Sequence, residues 1–355
     1  MNETRVSPPS AFHSFAGTVS EPLTEVPTAA LSVPAQVSHS SLTVGAIRDL
    51  VLRHYDLGEY VDCVPFLRAV SNTYLLSTPD RRIALKVYPP NWRTHEAIME
   101  ELNTLLLLRE KSVDVATPIC RRDGTYITDL NAPEGLRKAV AFHWASGRAP
   151  AYTDAAQAMS YGKMVARMHV AGDDIRLNGE RPIMDLNYLL RSPLERICPR
   201  LNDHQEWVAR LISLAERTTA RLERAKPRLQ DWGFCHGDLH VGNARSDNGR
   251  VVLFDFDHCG SGWRLIDLAS YRLEARRAQV EQQAWLPFIE GYREIRNSDP
   301  LEYLGLFMIL RYLWTTANAI ELSEAGIGVF FPSDDIDDLI PFCEAIEVEL
   351  VDHQI

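Results

Sequence analysis

Cysteine is scarce in this chain of 355 residues. The six present, Cys63, Cys120, Cys198, Cys235, Cys259 and Cys343, form no C-x-x-C pair and no dense spacing. That pattern excludes a disulfide framework and is what reduced thiols in a cytoplasmic protein look like. No run of about 18 apolar residues is present, which excludes a hydrophobic helical membrane span. The first residues also lack the basic-then-apolar order of a secretory signal. A cytoplasmic location without a membrane partner is therefore expected. Positive charge is in deficit too, with 37 Lys and Arg against 48 Asp and Glu, a formal charge of −11. Nucleic-acid affinity rests on neutralising phosphates with Lys and Arg, so no nucleic-acid partner is expected.

The 46% hydrophobic and 24% charged fractions are those of an ordinary globular protein, and the length points to two lobes. Residues 1–42 are rich in Ser, Thr, Pro, Ala and Val. Prolines at 8, 9, 22, 27 and 34 interrupt any period, and the segment reads as a flexible, disordered tail. Residues 43–143 mix a helix over Val44–Tyr55, short strands and a helix over His95–Arg109 that Thr94 can cap. From 144 to 355 the pattern turns to long helices at roughly 154–171, 203–226, 278–294 and 301–323. Between the second and third of these, residues 232–267 form a compact strand-and-loop region. The fold expected is α+β and bilobal, with a small strand-rich first lobe and a larger, mainly helical second lobe.

The unusual residues gather in that compact region. Phe234–Asn243 reads F-C-H-G-D-L-H-V-G-N, and Val251–His258 reads V-V-L-F-D-F-D-H. Phosphoryl transfer needs a carboxylate to orient and deprotonate the acceptor hydroxyl, together with oxygen ligands for magnesium. Asp238, Asn243 five residues on, and Asp255 after a short apolar strand supply that set. The spacing is that of the kinase catalytic loop H-R-D-x-x-x-x-N and its later metal-holding Asp. An H-x-D pair alone also occurs as a plain loop cap. A rival reading groups Asp238, His240, Asp255, Asp257 and His258 as the metal cluster of a hydrolase.

A lysine from the first lobe should then reach the nucleotide phosphates. In R-I-A-L-K-V-Y, Ile83, Leu85 and Val87 alternate, which turns Lys86 to the opposite face of the strand. On the following helix Ile98, Glu101, Leu105 and Leu108 share one stripe, whereas Glu100 lies about 100° away and reads as solvated. A glutamate on an apolar stripe needs a partner to offset its desolvation, and Lys86 is the partner expected for Glu101.

These residues resemble the aminoglycoside phosphotransferase and choline kinase superfamily, whose motif is H-G-D-x-x-x-x-N followed by a strand and an Asp. The likeness spans residues 43–350. It is greatest to the stress response kinase A-like subgroup, with type II homoserine kinases more distant, through V-Y-P-P-N-W-R-T-H-E-A-I-M-E-E (Val87–Glu101) and A-R-M-H (Ala166–His169). The resemblance implies a bilobal protein-kinase-like fold that binds ATP and Mg2+. It makes Asp238 the catalytic base, Asn243 and Asp255 the metal ligands, and Lys86 with Glu101 the phosphate-binding pair. It makes His236 and Asp267 supports of the loop, and the backbone of Ala139–Trp144 the adenine-contacting hinge. Two positions depart from the pattern. The loop expected to cover the phosphates, Ala69–Tyr74, holds no glycine, and Asp257 stands where many kinases place Gly, either as a further metal or substrate ligand or in a local loop role.

The function expected is transfer of the γ-phosphate of ATP to an alcohol on a small molecule such as an amino alcohol, a hydroxy amino acid or an aminoglycoside. A protein Ser/Thr kinase is the alternative that the nearest resemblance suggests, and a catalytically silent binding module is a third. The acidic run Ser333–Asp338 reads either as a collector of cationic acceptors or as a solvated helix start.

Overall fold

The computed structural model describes residues 37, 39–58, 61–201, 204–327 and 338–352. Most of the tail 1–42, and residues 333–337 of the acidic run, lie outside the described residues. Among the described residues no helix is long and apolar enough to cross a membrane.

The first lobe is an antiparallel sheet with one helix behind it. Helix α1 (Val44–His54) starts where the Thr43 hydroxyl accepts a hydrogen bond from the Ala46 amide at 3.2 Å. Strands β1 (Asp62–Arg68), β2 (Asn72–Ser77), β3 (Arg82–Val87), β4 (Ile127–Ala132) and β5 (Gly135–His143) line up in the order β1-β2-β3-β5-β4. Ile83, Leu85 and Val87 are fully buried and pack with Ile47 and Val51 of α1 and with Ala139 and Ala141 of β5. The alternation in β3 therefore gives one face to this core and the other, with Lys86 opposite Thr73 and Val140, to the cleft. Helix α2 (His95–Glu110) carries Ile98, Glu101, Leu105 and Leu108 on its buried side, with Thr94 as its cap. After α2, the Leu253 amide donates to the Asp114 carbonyl and the Ala116 amide to the Leu253 carbonyl, both at 2.9 Å. These bonds join the first lobe to the second beside the cleft.

The second lobe is helical around a small three-stranded sheet. Helices α3 (Ala155–Ala171), α4 (Ser192–Ile197), α5 (Gln205–Ala225), α6 (Leu265–Arg277), α7 (Glu281–Arg293), α8 (Leu304–Glu324) and α9 (Leu339–Asp352) surround β6 (Ile183–Met184), β7 (Trp232–Cys235) and β10 (Gly260–Trp263). A hairpin, β8 (Ala244–Asp247) and β9 (Arg250–Leu253), carries the chain between the two motif loops. Asp154 caps α3 by accepting from the Ala156 and Gln157 amides. The helix ends read from periodicity shift inward by a few residues, because single turns of tighter 3₁₀ helix such as Leu301–Tyr303 precede the regular spans. Helix α6 is an addition, since residues 265–267 read as loop and 278 as a helix start. Buried side chains run all round the first two turns of α6, Leu265–Tyr271, which leaves no apolar stripe there to betray it. Helix α8 is buried along most of its length and brings Arg311 to the cleft.

Candidate active site

The two motif loops are built into each other. In the first, Gly237 has φ +78°, and a Cβ there would come within 2.2 Å of the His258 carbonyl oxygen, so only glycine fits this turn. Asp267, in the first turn of α6 and fully buried, accepts from the His236 amide at 2.7 Å, the Gly237 amide at 2.9 Å and His169 Nε2 at 3.0 Å. Burial alone would raise its pKa, and these donors outweigh burial and hold it below the usual carboxylate value. The His236 Nε2 atom donates to the Phe254 carbonyl at 3.1 Å and its Nδ1 accepts from the Asp238 amide at 3.3 Å, an arrangement that requires neutral imidazole. Burial lowers the pKa of His236 accordingly. The Phe254 amide in turn donates to the Asn243 carbonyl at 3.0 Å, which welds the second loop to the first.

Asp238 is held on both oxygens. Arg311 Nη2 donates to Oδ1 while its Nη1 donates to the Gly237 carbonyl at 2.7 Å. Asn243 Nδ2 donates to Oδ2 and to the Asp238 carbonyl, each at 3.0 Å, and His240 Nε2 lies 3.6 Å from Oδ2. Burial acts to raise the Asp238 pKa. The cationic Arg311 foremost, then His240, overcome it and hold the carboxyl well below its ordinary range. Because Asn243 spends its amide hydrogens on Asp238, its side-chain oxygen keeps its acceptor capacity.

Across the cleft, Lys86 Nζ donates to Asp255 Oδ1 at 2.7 Å and lies 3.6 Å from Asp257 Oδ2. Burial would depress its pKa, but these two acids raise it well above the usual lysine value. Asp255 has φ +62°, a left-handed conformation that Asp tolerates better than most residues, and 43% of its side chain is exposed. The chain thus brings Lys86, Asp255 and Asp257 to one point, and Asp238 and Asn243 to a neighbouring one.

Three expectations change, and the open reading of Asp257 narrows. Lys86 pairs with Asp255, and Glu101 lies 3.8 Å from Arg181 Nη1 as its ion-pair partner. The reason is electrostatic: burial pushes Glu101 up to about 7, against the pull of Lys86 and Arg181, which makes it a weak anion for Lys86 to pair with. Glu100 is buried, because the segment after α3 crosses α2 and the Asn178 amide donates to its carboxylate. The expected hinge backbone moves, since Ala139–His143 is hydrogen-bonded on one side to β3 and on the other to β4 and residues 117–119. Only the stretch from Trp144 on has backbone groups outside the sheet. Asp257 takes the loop role. It accepts from Trp92 Nε1 at 2.7 Å and Arg93 Nε at 3.2 Å, which docks the segment before α2 onto the second lobe. Burial would raise the pKa of Asp257, and Lys86 and Arg93 drive it far below normal.

The rival hydrolase grouping also dissolves: among the described residues no set of three or more His, Cys, Asp and Glu side chains is disposed to hold a metal ion. Asp257 is spent on Trp92 and Arg93, and His258 accepts from Arg93 at 3.3 Å. Burial lowers His258 to about 4 and keeps it neutral. Three arginines escaped the sequence reading. Arg93 and Arg311 are described above, and the third, Arg181, donates to the Phe256, Asp257 and Cys259 carbonyls and fixes the second loop from behind. A lone Arg inside the apolar run F-M-I-L-R-Y-L-W was the one available signal, since a buried charge must have a partner.

The buried Glu101 supports a prediction. Its folded pKa is raised, so the folded state binds the proton more tightly, and the associated stability is present below about pH 4.5 and is lost as pH rises through 7. Relative to wild type, Glu101→Gln should therefore gain about 2 to 3 kcal/mol in stability between pH 5 and pH 8. Urea unfolding at the two pH values measures this, and a difference independent of pH would refute it.

The phosphotransferase enzyme family matches residues 62–298. An uncharacterised protein of Deinococcus radiodurans is 37% identical over 297 residues, covering 81% of this chain and 86% of its own. A homoserine kinase of Neisseria meningitidis serogroup B is 30% identical over 250 residues, 69% of this chain and 77% of its own. Among solved structures, amicoumacin kinase hAmiN in complex with AMP-PNP, Ca2+ and Ami superposes with a TM-score of 0.68 at 18% identity, over 86% of this chain and 93% of that one.

Proposed function

Since the chain belongs to the phosphotransferase enzyme family, whose members here act as kinases on hydroxyl groups, we propose that it moves the γ-phosphate of ATP onto the hydroxyl of a small molecule. One observation carries this reading: Lys86 from the first lobe meets Asp255 at 2.7 Å, on a loop bonded directly to the one that holds Asp238 and Asn243.

Asp238 is the group that orients the acceptor. Its carboxylate is ionised and a quarter exposed, so an acceptor hydroxyl can donate to Oδ2. As the hydroxyl oxygen bonds to the γ-phosphorus and the bond to the β-phosphate oxygen breaks, the hydroxyl proton passes to Asp238. Lys86 neutralises phosphate charge from the other side of the cleft. The donor set fits a hard divalent cation, because the Asn243 carbonyl oxygen and the Asp255 carboxylate are oxygen ligands. These two residues would hold magnesium, which when bound supplies neutralisation of the phosphate oxygens. The homoserine kinase relative favours a hydroxy amino acid or amino alcohol as acceptor.

Incubation with γ-labelled ATP and Mg2+ against hydroxy amino acids, amino alcohols, aminoglycosides and a denatured protein mixture tests the proposal. Label is expected in a small molecule. Label confined to polypeptide would make the protein a Ser/Thr kinase instead, and label in neither would end the reading.

A further inference from the structure

The chemistry above makes no use of the residues just ahead of α1, yet His39–Leu42 is bound into the first lobe. Ser40 donates its backbone N–H and its hydroxyl to Glu134 Oε1, each at 3.0 Å. Its carbonyl accepts from Asn72 Nδ2 at 3.4 Å and from Arg137 Nη1 at 2.9 Å. His39 Nε2 lies 3.3 Å from Asn72 Oδ1, and the Tyr74 hydroxyl donates to the Leu42 carbonyl at 2.9 Å. Arg137 is fully buried and continues the network by donating Nε to the Tyr88 carbonyl at 2.8 Å and Nη2 to the Val87 carbonyl at 3.2 Å. The Glu134 side chain is only 2% exposed, and Ser40 is the donor that, with Arg137, makes its burial tolerable.

These bonds end at particular places. Asn72 opens β2 directly after the turn Ala69–Ser71, and Val87 and Tyr88 follow Lys86 at the end of β3. Asn72 pairs with Val87 and Thr73 with Lys86, so the turn and the lysine lie at the same end of the sheet. The turn has no glycine, and among the described residues its backbone bond is that of the Ala69 amide to the Ser71 carbonyl at 3.3 Å. Its position over the cleft therefore depends on what grips the strand behind it.

We propose that His39–Leu42 is a clamp that fixes the turn Ala69–Ser71 over the nucleotide cleft, with Ser40, Asn72 and Glu134 as positioning residues for ATP. This rests on the reading of the cleft as an ATP site. The segment belongs to the working enzyme, and a change confined to Ser40 alters nucleotide affinity.

The test uses the full chain and titration with Mg-AMP-PNP. Ser40→Pro removes both donors to Glu134, and Asn72→Ala removes the grip on the turn while leaving both Ser40 donors to Glu134 in place. Each is expected to weaken Mg-AMP-PNP binding by roughly five- to tenfold, as the loss of one or two hydrogen bonds would do, whereas Ser40→Ala costs about twofold. Amide exchange over residues 69–76 should quicken in the first two variants and stay unchanged over α3 and α8, which a general loss of stability would not produce. Binding within twofold of wild type in both variants overturns the clamp while leaving the ATP site standing. Failure of the unaltered protein to bind Mg-AMP-PNP removes the ATP site and the clamp together.

Discussion

Asp238→Asn is expected to lower kcat by about a thousandfold while leaving the affinity for Mg-AMP-PNP within about twofold, since a positioned proton acceptor contributes roughly 10² to 10⁴ in rate. The geometry says why so small a change matters. Two donors, Arg311 Nη2 and Asn243 Nδ2, engage the two carboxylate oxygens, and His240 Nε2 lies 3.6 Å from Oδ2. An amide offers only one oxygen, so its NH2 must face a donor, and the group loses both its charge and its ability to take the acceptor's proton. Lys86 on β3 and Asp255 on the second loop make no contact with the altered group and are spared. Turnover within a few fold of wild type, in a variant that still binds nucleotide, would remove Asp238 from its assigned role.

Much of this site was legible because its parts are short-range. The spacing from Asp238 to Asn243 fixes both ends of one turn, and alternation in β3 fixes the face of Lys86. What failed were matters of competition in space. Helical spacing put Glu101 on the buried stripe, as found, but could not say that Asp255 would outcompete it for Lys86. The same 100° offset that made Glu100 look solvated takes no account of the chain crossing α2 at Asn178. The α6 helix was missed for a related reason: its first two turns, Leu265–Tyr271, are buried on all sides and offer no polar face from which a period can be read. The hinge shifted because strand pairing on both edges of β5 consumes backbone groups that a motif match treats as available.

Arg311 shows the consequence of such a long-range partner most sharply, and Arg311→Met should both destabilise the protein and change its response to pH. Removing one member of a buried, hydrogen-bonded pair costs about 3 to 5 kcal/mol, because the other is left without compensation. In a chain of this size that is a fall in Tm of roughly 5 °C. The sign of the pH effect follows from Asp238. In the wild type its folded pKa is depressed, with Arg311 the chief cause, so its contribution to stability is present above about pH 4 and lost as pH falls through the depressed value. His240 and His258 also face this carboxyl and lower its pKa, and Asn243 donates to it, but the largest opposition to burial leaves with the guanidinium. In the methionine variant burial prevails, the proton binds more tightly, and stability is lost as pH rises instead. The stability difference between the two proteins should therefore widen from pH 4 to pH 7, and the acid limb of kcat/KM should move to higher pH. Arg311→Lys, which keeps the charge but not the fork spanning Gly237 and Asp238, should fall between them. A difference that is flat in pH would mean that Arg311 only fills space within α8, and the coupling between that helix and the acceptor-orienting carboxylate would have to be abandoned.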